Sequence, residues 1–334
     1  MRTATARAHP NIALVKYWGK ADEELILPVA GSMSMTLDAF ATTTTVTLDP
    51  EADEDSFVLN GSPATGTALA RTTRFLDHVR ELAGSSARAR VHSVNEAPTA
   101  AGLASSASGF AALALAASRA FGLALDERAL SRLARRGSGS ACRSVVDRYA
   151  VWHAGTDDET SYAEQIDAPD LRLVIVTVDG AQKAVSSREG MRRTAATSPF
   201  YDAWITSTAR TLEEMVRACT AGDLTRIGEI TESHALRMHA VIASSEPPVR
   251  YLAPASVAVF DAAAALRAEG VFAHPTADAG PNVCVLTTPA DAERVAETVS
   301  AHGSVRIVGP GPGAHLVDET VDAVDAAETD GVTR

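Results

Sequence analysis

Hydrophobic and polar positions along the 334-residue chain change period several times, and each change marks an element. Half-apolar, β-rich runs at Thr42 to Leu48 and Arg90 to Val94 predict short strands, and the helical spacing from about Thr67 to Leu82 predicts a helix between them. A Gly- and Ser-rich turn follows Pro98. It leads into an alanine-rich helix from about Ser105 to Phe121 and a second helix from about Asp126 to Arg135, each buried on at least one face. The apolar run Leu171 to Val178 predicts a strand. Long helical segments follow at about Pro199 to Thr220, Asp223 to Ser244 and Pro254 to Glu269, and the pattern closes on strands at Val283 to Thr287 and Val305 to Val308. This is a mixed α and β chain with no internal repeat. The change in pattern places a domain boundary near residue 180, giving units of 1–180 and 181–317. The segment Val317 to Arg334 carries six acids and little apolar periodicity, so 318–334 is expected to be a frayed acidic tail.

Composition narrows the function classes. A hydrophobic content of 46% supplies a full core, and a formal charge of −12, from 42 acidic against 30 basic residues, opposes non-specific binding to nucleic acid. Any phosphate site must therefore be a local basic pocket. The basic N-terminal segment lacks a following apolar stretch, and no run reaches the ~18 apolar residues of a membrane span, so a soluble, cytoplasmic protein without membrane attachment is expected. Cys142, Cys219 and Cys284 are far apart and show no CxxC spacing, which predicts reduced, buried thiols and neither a disulfide framework nor a zinc site.

Four segments carry candidate chemistry. Pro98-Thr-Ala-Ala-Gly-Leu-Ala-Ser-Ser-Ala-Ser-Gly109 combines small residues and hydroxyls at a helix start, where unpaired N–H groups suit a polyphosphate; such turns also arise from close backbone packing. It matches neither the P-loop nor the dinucleotide fingerprint. The cluster Gly137-Ser-Gly-Ser-Ala-Cys-Arg143-Ser offers two hydroxyls and a guanidinium fork to phosphate or carboxylate, or else forms a capping loop with its arginine in water. In Asn11-Ile-Ala-Leu-Val-Lys-Tyr-Trp-Gly-Lys20, Lys16 lies in or beside an apolar run, so it either meets an anion or snorkels to solvent. Asp278 stands in Thr276-Ala-Asp-Ala-Gly-Pro-Asn-Val283, where it forms the turn or does chemistry.

Taken in order, these segments resemble the GHMP small-molecule kinase superfamily, and specifically its diphosphomevalonate decarboxylase branch. Val185-Ser-Ser-Arg-Glu-Gly-Met191 is similar to a further substrate-binding segment of that branch, and the resemblance runs from about residue 8 to residue 316. It implies an α+β, two-domain GHMP-kinase-like fold, with a ribosomal-S5-domain-2-like N-terminal domain, a ferredoxin-like C-terminal domain and the active site in the cleft between them. The implied reaction uses ATP and magnesium to phosphorylate a tertiary hydroxyl of mevalonate diphosphate. Phosphate and carbon dioxide then leave, and isopentenyl diphosphate remains.

The resemblance also implies roles. Asp278, paired with Lys16, accepts or orients the hydroxyl proton, and Arg143 holds the substrate carboxylate. Tyr17, Lys20, Ser138, Ser140, Ser187 and Arg188 grip the diphosphate end. Gly102, Ala104, Ser105, Ser106 and Ser108 hold the ATP phosphates, with Ser106 also a magnesium ligand. A homodimer is expected as well. Two departures stand out: Ala30-Gly31 where relatives often carry Asn-Ser before the retained Ser32 and Ser34, and Arg148 where they carry glycine. The competing readings are a kinase or a monophosphate-specific decarboxylase of the same superfamily, and a non-catalytic ligand sensor. Retention of Lys16, Arg143 and Asp278 together weighs against the kinase, and retention of Asp278 and the phosphate-loop serines weighs against the sensor, while the monophosphate reading stands beside the diphosphate one.

Overall fold

The threonine run at 42–47 becomes the inner strand of a sheet because both of its edges find partners. In the computed structural model, which describes residues 2–96, 105–178 and 185–318, strand Thr42–Asp49 pairs antiparallel with Thr3–Ala8 on one side and Arg88–Asn95 on the other. Facing hydroxyls satisfy one another across these pairs, Thr5 with Thr45 at 2.9 Å and Thr44 with Ser93 at 2.8 Å. Strands Ser56–Leu59, Ser62–Pro63 and His315–Leu316 complete six strands. Helix Ser105–Ala120 lies on this sheet. Its alanines 107, 111, 112, 114, 116 and 117 are buried, and their small side chains let helix and sheet approach closely.

A second sheet, ordered Ala163–Gln165, Tyr149–Trp152, Ser32–Thr36 and Asn11–Val15, completes the N-terminal domain. The C-terminal domain is built on Arg172–Thr177, Ala273–Ala277, Val283–Thr287 and Ser304–Val308. In chain order these stand 2-3-1-4 across an antiparallel sheet, with helices after the first and third, which is the ferredoxin-like arrangement. The protein thus has the expected two-domain α+β, GHMP-kinase-like fold.

Two boundaries differ from expectation. Among the described residues strand Arg172–Thr177 pairs only within the C-terminal sheet, so the domains divide before Arg172 and not near residue 180. The end of the chain also returns to the first domain. Leu37 bridges Pro310, His315–Leu316 pairs with Thr3–Ala8, and Val317 N–H donates to Thr5 O at 3.0 Å. Residues 309–317 therefore belong structurally with the N-terminal unit, and the expected acidic tail lies outside the described residues from 319 onward. Asp126 and Asp223 cap helices Glu127–Gly137 and Leu224–Ala243, so those starts were visible in the sequence.

Packing excludes a side chain at Gly31, whereas the backbone conformation at residue 148 disfavours the arginine found there. A Cβ on Gly31 would stand 2.6 Å from Leu212 and 2.7 Å from the Trp152 carbonyl, so no side chain fits there. Neither Ala30 nor Gly31 lines the interdomain cavity. Arg148 adopts a left-handed φ of 54°, with its N–H donating to Gly311 O and its carbonyl accepting from Thr36 N–H. Glycine would meet this conformation without Cβ strain. Arg148→Gly is expected to stabilise the fold by up to about 1 kcal/mol, the strain relieved exceeding the added chain entropy. The exposed Arg148–Asp170 pair at 3.8 Å contributes little. A lowered urea midpoint for this variant would contradict the account.

Candidate active site

A cavity of about 480 Å³ opens between the domains, and both contribute to its wall. Strand Asn11–Val15 carries an irregularity between Ala13 and Val15 and ends there, so Lys16 turns out of the sheet. Its side chain is 1% exposed. The ammonium donates to Ala13 O at 2.7 Å and to Asp278 Oδ1 at 2.7 Å. Asp278, 39% exposed, comes from the other domain, just past strand Ala273–Ala277 in the hairpin to Val283–Thr287. A lysine buried this deeply needs an anion beside it, and the carboxylate it holds faces the cavity. Lys16 therefore does not snorkel to solvent, and Asp278 stands in the hairpin and also pairs with it across the domains.

Arg143 also lies inside, 2% exposed, on the 3₁₀ helix Gly139–Val145 and not in a solvated capping loop. Its Nε donates to Ser34 Oγ at 2.9 Å, one terminal nitrogen to Ser32 Oγ at 2.6 Å and the other to Asn11 Oδ1 at 3.1 Å. The Ser-x-Ser alternation of strand Ser32–Thr36 puts both hydroxyls on one face, which is why one guanidinium reaches both. Among the described residues these hydrogen-bond partners are neutral. Burial works against the arginine's charge and lowers its pKa, while Asp278 and Tyr17 in the same pocket oppose that shift. An anionic ligand would complete its charge balance.

The remaining wall is rich in donors. Tyr17, Lys20, Ser138, Ser140, Ser187 and Arg188 all line the cavity, as expected, together with Arg71, Thr67 and Ser186, which the sequence reading missed. Burial pushes the Tyr17 hydroxyl well above the ordinary tyrosine range, so it is a neutral donor. Its ring meets Trp152 edge-on at 4.8 Å, and Gly139 permits this because a Cβ there would stand 2.9 Å from the Tyr17 hydroxyl. Ser187 and Arg188 open helix Ser187–Thr197, capped by Ser186, whose hydroxyl accepts from Glu189 N–H at 3.2 Å. Lys20 is shared with an acid: its ammonium donates to Glu23 at 2.6 Å, and Glu23 also accepts from Arg192 at 3.1 Å. Arg71 is partly desolvated and faces Arg188 and Arg74, which together lower its pKa and favour an anion at this end.

Of the predicted phosphate loop, Ser106 reaches the cavity, 3.4 Å from the Ser138 hydroxyl. Ser108 does not. It is 1% exposed and its hydroxyl meets Thr42 at 2.7 Å, so it anchors helix to sheet; a step of two residues turns about 200° around the helix. Gly102 and Ala104 lie outside the described residues, and Ser105 is described only as the first helical residue. A smaller cavity of about 180 Å³ shares Arg71 and Ser106 with the first and is walled by Phe57, Leu59, Phe110 and Asn95. Cys142, Cys219 and Cys284 are free and buried, and burial pushes each thiol up to about 12.

This geometry agrees with what the chain is similar to. Residues 8–163 match the diphosphomevalonate decarboxylase-like N-terminal domain, and residues 173–306 match the mevalonate 5-diphosphate decarboxylase C-terminal domain. The chain belongs to the diphosphomevalonate decarboxylase family. The two matched ranges leave 164–172 between them, where the structure also divides the domains. Diphosphomevalonate decarboxylase of Candida albicans is 35% identical, with 96% of this chain and 93% of the relative covered. Phosphomevalonate decarboxylase of Haloferax volcanii is likewise 35% identical, over 95% of this chain and 98% of the relative. The structure of MDDEF in complex with MVAPP, AMPPCP and magnesium superposes with a TM-score of 0.90 at 45% identity, covering 94% and 98% of the two chains.

Proposed function

We infer that the interdomain cleft catalyses ATP-dependent decarboxylation of mevalonate diphosphate to isopentenyl diphosphate, releasing ADP, phosphate and carbon dioxide. The observation that carries this reading is the Lys16–Asp278 pair placed in one cavity with a buried guanidinium whose hydrogen bonds go to neutral groups. A kinase needs the first of these. A decarboxylase also needs the second, to hold the carboxylate from which the electrons come.

In the roles assigned here, Asp278 takes or orients the proton of the tertiary hydroxyl, and the Lys16 ammonium holds its carboxylate in place at 2.7 Å. The oxygen then accepts the γ-phosphoryl group, and its bond to carbon breaks as phosphate departs. The electron pair freed by loss of carbon dioxide forms the double bond, with Arg143 orienting the carboxylate bidentately. Tyr17, Lys20, Ser138, Ser140, Ser187 and Arg188 hold the diphosphate, Lys20 exchanging its contact with Glu23 for phosphate oxygen. Ser106 and Arg71 attend the nucleotide phosphates, and the smaller cavity beside them suits the purine, with apolar walls and Asn95 for polar contact. Magnesium offsets the charge of the polyphosphate; the ion needs few protein oxygens when it arrives so bound, and Ser106 is the hydroxyl assigned to it.

Homodimerisation and a cytoplasmic location belong to the same reading. The groove beside the exposed Phe200, lined also by Asp202, Arg210 and Arg237, supports the first, and three free buried thiols support the second. Among the described residues no helix is long and apolar enough to cross a membrane.

The test is stoichiometric. With ATP, magnesium and mevalonate diphosphate, one carbon dioxide, one ADP and one phosphate should appear per substrate consumed. ADP with a stable phosphorylated acid and no carbon dioxide would turn the assignment into a kinase. Faster turnover of the monophosphate would move it toward the activity named for the Haloferax relative.

A further inference from the structure

Lys16 and Asp278 come from different domains, so something must set the distance between them. Helix Leu224–Ala243 passes beside both and places two histidines, His234 and His239, against the backbone on either side of the pair. We propose that His234 and His239 are positioning residues, holding respectively the Lys16 segment and the Asp278 turn so that the Lys16–Asp278 pair keeps its reactive geometry. This rests on the roles assigned above to Lys16 and Asp278.

On the Lys16 side, the backbone N–H that leaves the sheet donates to His234 Nδ1 at 3.0 Å. An imidazole that accepts there carries its proton on Nε2, which stands 3.2 Å from Thr208 Oγ1; the threonine hydroxyl in turn donates to Trp204 O at 2.8 Å. The Trp204 indole donates to Trp18 O at 2.9 Å. Residues 16 to 18 are therefore tied at both ends to helices Tyr201–Ala221 and Leu224–Ala243, with Lys16 and Tyr17 presented to the cavity between the ties. On the Asp278 side, His239 Nε2 stands 3.2 Å from Ala277 O. A carbonyl only accepts, so Nε2 carries the proton here too. The bond fixes the peptide directly before Asp278.

Burial keeps both rings neutral, pushing His234 down to about 3 and His239 to about 4, while the hydrogen-bond partners decide which nitrogen holds the proton. The charged groups facing His234 are Arg237 and Lys16, and those facing His239 are Lys16 and Asp278. Neither ring lines the cavity, so neither touches substrate.

Matched variants test the idea because glutamine Nε2 reproduces the donor position of His239, whereas leucine removes it. His239→Leu should lower kcat about tenfold while KM for substrate and for ATP stays within threefold, and His239→Gln should restore kcat to within threefold of wild type. In an Asp278→Asn background, His239→Leu should add less than twofold, since its effect passes through Asp278. Equal kcat for His239→Leu and wild type, equal losses in the Leu and Gln variants, or full additivity with Asp278→Asn would each overturn the proposal. If the leucine variant does not fold, ¹⁵N NMR of wild-type imidazoles at pH 7 decides: both rings should be neutral with the proton on Nε2, and a protonated or Nδ1–H ring at either position would overturn it. If Asp278→Asn turned over normally, the fault would lie with the role of Asp278 and not with the two histidines.

Discussion

Asp278→Asn is expected to fold and bind nucleotide while losing at least ~10²-fold in turnover, the lower end of what a positioned proton acceptor contributes. Asparagine is nearly isosteric and favours turns, so the hairpin between Ala273–Ala277 and Val283–Thr287 should survive. Its amide oxygen can still accept from the Lys16 ammonium, now 2.7 Å from Oδ1. What disappears is the negative charge. Lys16, 1% exposed, would then be a buried cation without its counter-ion, which costs stability on the order of 1–3 kcal/mol. Nucleotide affinity should be kept, because Ser106 and Arg71 stand on elements of the N-terminal domain. Melting temperature, nucleotide affinity and turnover measured on one preparation separate these effects. A folded variant with near wild-type turnover would remove Asp278 from the mechanism.

Arg143→Lys is the second large effect expected. The guanidinium is held by Ser32, Ser34 and Asn11, which fix its plane before any substrate arrives. Lysine keeps the charge but presents a point donor that cannot satisfy this cradle and grip a carboxylate bidentately at once. The expected loss in kcat/KM is about 2–3 kcal/mol, or roughly 30- to 150-fold. A change smaller than threefold would show that Arg143 serves packing alone, with its cation over the Trp152 ring at 5.8 Å and its hydroxyl partners as a structural network.

The candidate site was legible because the residues that line it travel in short segments. Lys16, Arg143 and Asp278 each stood in a run whose neighbours marked it, and all three meet in one cavity with Ser138, Ser140, Ser187 and Arg188. Ser108 was misread because serines two apart look equivalent in sequence while facing different sides of a helix. Helix Ser187–Thr197 has only Met191 as a large apolar residue and buries Gly190 and Thr194, so periodicity could not announce it. The apolar run at 171–178 correctly signalled a strand but carried no information on which sheet it joins, and the domain boundary slipped by that one element. His234 and His239 left no signal at all, since their partners are backbone groups of residues 16 and 277, distant in sequence. Arg71 was likewise hidden within an ordinary helix, Gly66–Ala83, and acquires its meaning from facing Arg188 across the cleft.

The central claim is that the tertiary hydroxyl is phosphorylated before carbon dioxide leaves, and the fate of that oxygen tests it most directly. Mevalonate diphosphate labelled with ¹⁸O at the tertiary hydroxyl should be turned over with unlabelled ATP and magnesium, and the released inorganic phosphate analysed by mass spectrometry. Transfer to the hydroxyl, with Asp278 receiving its proton, followed by departure of phosphate, predicts one ¹⁸O atom in every inorganic phosphate formed. Unlabelled phosphate, with the ¹⁸O recovered in water, would mean that the hydroxyl leaves without being phosphorylated and would contradict the account.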